Sequence, residues 1–105
     1  MDAFIYDSVR TVRGKGNKKG SLMGITPVEL SKQVLTALKE RNNLDTSAVE
    51  DVIFGCVSQV KDQSANIAKS AAMAAGFGDH LCGVSLNRFC GSGLESINVA
   101  SANVK

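Results

Sequence analysis

Residues 83–94 read GVSLNRFCGSGL, and their pattern is the most informative in the chain about its fold. The first five, residues 83–87, are rich in strand-forming side chains and predict a β-strand. The glycines that follow predict a sharp turn at Cys90 and then a helix. Apolar side chains recur at helical spacing in that helix at Leu94, Ile97 and Val104. A strand that turns directly into a helix is the unit from which parallel α/β sheets are built.

Two further helix patterns lie upstream of this turn. Thr26 begins a capping box with Pro27 at the first helical position, which predicts a helix start. The apolar spacing of that helix ends near residues 42–43, where we expect it to fray. The alanine-rich residues 64–75 predict a second helix, and Gly76 is predicted to end it as a left-handed C-terminal cap.

Two further strand patterns complete the order of elements. Residues 3–6 predict a short first strand, and the almost continuously apolar residues 51–57 predict a strand buried on both faces. Residues 8–24 between them are basic and broken by glycines, as in a solvated loop. The resulting order, β-α-β-α-β-α, predicts a parallel α/β sheet with right-handed crossovers. Because the last helix reaches Lys105 without a stop signal, we expect residues 1–105 to be a truncated domain, cut near or within that helix.

The composition excludes several classes of protein. The 105 residues carry a net charge of only +2, so the chain lacks the strong basic excess of a dedicated nucleic-acid binder. Three cysteines form no CxxC pair and accompany a single histidine, which predicts neither a metal site nor a disulfide framework. No segment approaches the roughly 20 apolar residues of a membrane span. We therefore expect reduced thiols and a cytoplasmic protein.

Cys90 is the candidate nucleophile because of its place between a strand and a helix. Unpaired N–H groups at a helix start, with their partial positive charge, favour a thiolate and can hold a developing oxyanion. Gly91 and Gly93 lack side chains and leave room for a bulky ester beside the sulfur. Cys56, within an apolar strand, and Cys82, in a loop before one, are expected to be structural. From the residues alone, Cys90 could equally be an inert cysteine that packs in the protein interior.

The segment around Cys90, NRFCGSGLE at residues 87–95, resembles the nucleophile motif of thiolases. Further likeness to that family runs along the entire chain, at residues 7–11, 14–15, 20–22, 52–59 and 66–69. The resemblance implies a thiolase-like α/β fold, of which residues 1–105 form part of the first half-domain.

The same resemblance implies an acyl-CoA acyltransferase of fatty acid metabolism. Cys90 would take the acyl group from an acyl-CoA as an S-acyl intermediate and pass it to CoA or to a second thioester, in thiolytic cleavage or Claisen condensation. The CoA thioester is then a substrate, and no cofactor or cofactor-binding residue is implied. The full-length protein would be a homodimer or homotetramer.

Departures from the family pattern bear on the activity of this chain alone. The family usually has proline where Val12 stands, and its activating histidine and second cysteine belong to downstream segments that these residues do not include. His80 lies in a loop and is assigned no catalytic role. We therefore expect the isolated chain to be inactive. A non-catalytic module that docks onto a full-length thiolase remains the alternative, and a β-ketoacyl synthase is less favoured.

Overall fold

Three α-helices and two parallel strands form the fold in the computed structural model, which describes residues 1–105. Two single 3₁₀ turns join them. In chain order the elements are α1 (Pro27–Arg41), a 3₁₀ turn (Thr46–Ala48), β1 (Asp51–Gly55), a 3₁₀ turn (Lys61–Gln63), α2 (Ile67–Ala74), β2 (Cys82–Leu86) and α3 (Ser92–Val104). None of the helices is long and apolar enough to cross a membrane.

Helix α1 begins and ends at the capping residues that the sequence predicted. The Oγ1 of Thr26 accepts a hydrogen bond from the backbone N–H of Glu29 at 3.2 Å, and Pro27 occupies the first helical position. The helix stops at Arg41, and Asn43 adopts a left-handed φ of 46°. The predicted start and end are both confirmed, because each depends on residues within one turn.

Helix α2 starts three residues later than predicted. Ala65 has a left-handed φ of 59° and cannot belong to a right-handed helix, whereas the Oδ1 of Asn66 accepts from the backbone N–H of Lys69 at 3.3 Å and caps the first turn. Gly76 has the expected left-handed conformation, with φ of 74°. Glycine is suited to this position because it has no Cβ to clash in that region.

The two strands form a parallel sheet in which Asp51 pairs with Cys82 and Gly55 with Leu86. Cys82 is therefore the first residue of β2, and its placement in a loop was wrong. Helix α2 lies close against the sheet: a Cβ on Gly83 would come within 2.6 Å of the Lys69 backbone nitrogen. The small side chains of α2 allow this approach. The core on this face contains Leu35, Val52, Ala68, Ala71, Ala72, Ala75, Phe77 and Leu81.

Helix α3 packs on β1 through small residues at the opposite face of the sheet. Its buried side chains are Ser92 and Ser96, while Leu94 and Ile97 are 67% and 53% exposed. Of the strand β1 itself, only Val52 is buried. The prediction that β1 is buried on both faces was therefore wrong, because the apolar side chains of α3 do not cover its second face.

Residues 3–6 do not form the predicted first strand. They pair with neither edge of the sheet, and Phe4, Ile5 and Tyr6 are 71%, 81% and 90% exposed. Strand-forming side chains cannot make a strand without a partner to complete the hydrogen-bond ladder. Residues 8–24 contain no helix or strand, as predicted for this loop.

Asp7 binds the N-terminal segment to the end of α1 through hydrogen bonds. Its carboxylate accepts hydrogen bonds from Asn42 Nδ2 at 2.9 Å and from Arg41 Nη2 at 3.2 Å. Together with the backbone N–H of Ser8, these donors lower the pKa of Asp7, and the bond from Asn42 contributes most. The contact is local to the last turn of α1 and leaves the preceding apolar residues uncovered.

Candidate active site

A five-residue turn, residues 87–91, joins the carboxyl end of β2 to α3. Asn87 begins it by accepting a hydrogen bond from the Phe89 backbone N–H on its Oδ1 at 2.8 Å. The backbone of Gly91 then donates to the Arg88 carbonyl at 3.0 Å. An asparagine that binds the backbone two residues ahead is a common way to start a tight turn. The sharp strand-to-helix turn predicted at Cys90 is confirmed.

Phe89 holds a strained conformation in the middle of this turn. Its φ is 46°, in the left-handed region, which costs a residue with a Cβ roughly 1–2 kcal/mol. The residue as a whole is 75% exposed, so burial does little to hold this conformation. Hydrogen bonds around the residue must therefore maintain the strain. The left-handed conformation of Phe89 was not predicted from the sequence, although Asn87 two residues earlier is a signal for such a turn.

Ser92 supplies two of those hydrogen bonds from one buried hydroxyl. The residue is only 4% exposed. Its Oγ accepts from the Arg88 backbone N–H at 2.8 Å and donates to the Phe89 carbonyl at 2.6 Å. The hydroxyl therefore bonds the backbone on both sides of the left-handed residue. Nothing in the pattern of apolar and polar residues singled out Ser92 for this role.

Cys90 follows the strained residue and is exposed with a free thiol. It precedes Gly91, the N-cap of α3, which has no side chain to cap the helix. Within the chain, the backbone N–H groups of Cys90, Gly93 and Leu94 donate to no acceptor. A thiolate or an oxyanion at this end of α3 would therefore meet unused donors and the positive end of the helix dipole.

The turn is anchored on the end of β1. A Cβ on Gly55 would stand 2.5 Å from the carbonyl carbon and oxygen of Ser92, so that only glycine lets the two backbones come this close. The Arg88 guanidinium also reaches Glu95 of α3 at 3.3 Å. Because the Arg88 side chain is 71% exposed, this ion pair contributes at most about 1 kcal/mol. Backbone packing, rather than charge, fixes the position of the turn.

The other two cysteines lie in different environments. Cys82 begins β2, at the amino end of the strand, and is exposed. Cys56 follows the carboxyl end of β1, is half-buried, and donates its backbone N–H to the Leu86 carbonyl at 2.9 Å. Neither precedes a helix start. The strand-to-helix position distinguishes Cys90 from both.

His80 binds backbone rather than the candidate nucleophile. Its Nε2 lies 3.2 Å from the Thr46 carbonyl oxygen and 3.1 Å from that of Val49, so it holds the 3₁₀ turn beside β1. Cys90 is a free cysteine, and no three His, Cys, Asp or Glu side chains stand together as metal ligands would. Cys90 thus directly precedes the N-cap of α3, whose first turn has free N–H groups, and the single histidine is bound to backbone elsewhere.

A family model and curated relatives match this chain along nearly its whole length. Residues 3–105 match the family model described as thiolase, N-terminal domain. A 3-ketoacyl-CoA thiolase of Chromohalobacter salexigens is 40% identical over 105 residues, covering 99% of this chain and 26% of that protein. A steroid 3-ketoacyl-CoA thiolase of Mycobacterium tuberculosis is 40% identical over 97 residues, covering 92% of this chain and 23% of that protein.

A solved structure shares the fold as well. The crystal structure of the Bacillus anthracis acetyl-CoA acetyltransferase superposes with a TM-score of 0.71 at 40% identity, covering 78% of this chain and 21% of that one. The chain thus spans about a quarter of the length of its curated relatives. With a matching family model along nearly its whole length, relatives at this identity and the same fold, the chain belongs to the thiolase family, whose N-terminal domain it matches.

Proposed function

We propose that this chain supplies the nucleophile segment of an acyl-CoA acyltransferase of the thiolase class, with Cys90 as the acyl-accepting thiol. Residues 1–105 would be part of the first half-domain of that enzyme. The observation that carries the proposal is the exposed Cys90 thiol in front of α3, where three backbone N–H groups lack an acceptor. Membership of the thiolase family supports the reaction class.

The proposed first step is acyl transfer from an acyl-CoA to sulfur. The Cys90 thiolate attacks the thioester carbonyl, the bond between that carbon and the CoA sulfur breaks, and CoA leaves as a thiol after taking up a proton. One thioester is exchanged for another, so the two sulfur leaving groups are matched in energy. The free N–H groups at the start of α3 would stabilise the oxyanion that forms in between.

The second proposed step passes the acyl group onward, to CoA in thiolytic cleavage or to a second thioester in Claisen condensation. The relatives named 3-ketoacyl-CoA thiolase support acyl-CoA and CoA as the ligands, within fatty acid metabolism. We propose no further cofactor. We also propose that the whole protein is a cytoplasmic homodimer or homotetramer, an assembly that would cover the exposed apolar residues of α3 such as Leu94.

Acyl transfer to Cys90 is tested directly with acetyl-CoA as the probe. The protein, in the form that its source organism produces, is mixed with acetyl-CoA, quenched with acid, and mapped by peptide mass spectrometry. We expect an acetyl group on the peptide that contains Cys90. Cys90→Ser should abolish this label, whereas Cys82→Ser, which changes another exposed thiol, should retain it.

Two results would overturn the proposal. One is an unlabelled Cys90 in the wild-type protein, and the other is equal labelling of Cys82 and Cys90, which would indicate nonspecific acylation of exposed thiols. If the protein took up no acetyl group but co-eluted with an intact thiolase on size exclusion, the non-catalytic docking module would be the better description. The exposed apolar residues of α3 are the observation that favours that second function.

A further inference from the structure

The buried hydroxyl of Ser92 makes hydrogen bonds outside its own helix, and packing alone does not explain them. It is one of two buried serines on α3, and the second, Ser96, lies one turn later. Ser96 donates to the Gly93 carbonyl at 2.7 Å, a bond within its own helix. Ser92 instead bonds the backbone of the turn that precedes the helix, at Arg88 and Phe89.

These two bonds lie on either side of the left-handed residue Phe89. If the hydroxyl were absent, the Arg88 N–H would lose its acceptor, and the Phe89 carbonyl would keep only the bond from the Ser92 backbone at 3.0 Å. A residue with a Cβ remains left-handed only when its surroundings hold it there. The next residue in the chain is Cys90, so relaxation of Phe89 would swing the thiol relative to α3.

We infer that Ser92 is a positioning residue for the nucleophile: its hydroxyl holds Phe89 in the left-handed conformation and thereby keeps the Cys90 thiol beside the free N–H groups at the start of α3. Gly55 completes the arrangement, because its missing side chain lets the Ser92 backbone rest directly on the end of β1. The inference rests on the proposed function of Cys90. It adds to that function a residue that does not itself touch the acyl group.

The test compares three substitutions in the protein as its source organism produces it. Ser92→Ala removes the hydroxyl, Ser92→Thr keeps it, and Ser96→Ala removes the matched buried hydroxyl one turn away. Two rates are measured at neutral pH for the Cys90 peptide: alkylation by iodoacetamide and single-turnover acetylation by acetyl-CoA over a range of concentrations. Far-ultraviolet circular dichroism and urea unfolding report on the fold of each variant.

Ser92→Ala is expected to slow both reactions at Cys90 by about tenfold, equivalent to about 1.4 kcal/mol in the barrier. The maximal acetylation rate should fall, and the acetyl-CoA concentration for half-maximal rate should stay the same, because the thiol is displaced and the CoA contacts are not. Ser92→Thr should restore both rates to within about threefold of wild type, and Ser96→Ala should leave them within about twofold.

The inference is overturned if Ser92→Ala reacts at the wild-type rate. It is also overturned if Ser96→Ala slows Cys90 as much as Ser92→Ala does, since both would then act through general loss of stability. If the threonine methyl disturbs the fold, as circular dichroism would show, the two alanine variants decide alone. Alkylation requires no acyl-CoA, so a wild-type protein that fails to take an acetyl group refutes the proposed function while alkylation still decides the role of Ser92.

Discussion

Gly55→Ala adds one methyl group at the place where β1 meets α3. The new Cβ would stand 2.5 Å from the carbonyl carbon and oxygen of Ser92 and 2.7 Å from the backbone nitrogen of Gly93. Carbon atoms pack at about 3.5–4.0 Å, so an overlap of roughly 1 Å must be relieved. The contacted atoms are backbone and cannot rotate away. The first turn of α3 must therefore move off the sheet.

The energy of this displacement follows from known overpacking costs. One extra methyl group in a tightly packed place typically costs 1–3 kcal/mol, and backbone contacts favour the upper part of that range. Replacing glycine in a strand by alanine returns roughly 0.5–1 kcal/mol, because glycine loses more backbone freedom on folding. We expect a net loss of about 2 kcal/mol in the free energy of unfolding. For a domain of this size, the melting temperature should fall by roughly 8–16 °C.

Urea unfolding followed by circular dichroism measures the change in stability. Gly16→Ala is the matched control, because a Cβ there meets nothing within 4 Å and the residue does not have a left-handed φ. The control should be unchanged or slightly more stable, by less than about 1 kcal/mol. Gly55→Ala should also slow alkylation of Cys90, since Ser92 moves with the first turn of α3 and carries the preceding turn with it.

A loss of less than about 0.5 kcal/mol for Gly55→Ala would contradict the close packing of β1 on α3, because changes of that size are typical of surface positions with no special role. An equal loss in Gly16→Ala would refute it too. Either result would mean that α3 does not rest on the end of β1 as closely as the distances indicate.

Two other predictions concern the cap of α2 and the anchor of the N-terminal segment. Asn66→Ala should lower the free energy of unfolding by about 2 kcal/mol, because it removes the cap of α2 and a 2.6 Å bond from Nδ2 to the Gly83 carbonyl. Asn66→Ser keeps a cap acceptor, loses the bond to Gly83, and should lose less in the same urea titration; equal losses would contradict the role of the cap. The pKa of Asp7 is lowered by its hydrogen bonds, that from Asn42 foremost, so its carboxylate stabilises the fold above the unfolded value of about 4 and loses this effect as the pH falls through the lower folded value. Wild type should therefore be more stable than Asp7→Asn at pH 6 and converge with it as the pH falls below about 4; a constant difference across that range would contradict the contact.

Chemistry within a few residues explains which elements the sequence predicted well. Thr26 and Pro27 set the start of α1, and Gly76 provides the left-handed residue after α2. Caps act over one helical turn, so their residue types alone predict where a helix begins or stops. The start of α2 was predicted too early because an alanine-rich run has strong helix propensity, and the Asn66 cap within it overrides that propensity.

Residues adjacent in the chain were enough to predict the strand-turn-helix unit, the sharp turn at Cys90 and the likeness to thiolases, because each of these features depends on local sequence. Two features emerge only from the folded chain: residues 3–6 form no strand, and Ser92 and Ser96, rather than Leu94, are the buried side of α3. A strand needs a partner from elsewhere in the chain, and the buried side of a helix depends on the surface that it meets. The same dependence on distant packing makes Gly55 and Ser92 part of the Cys90 site.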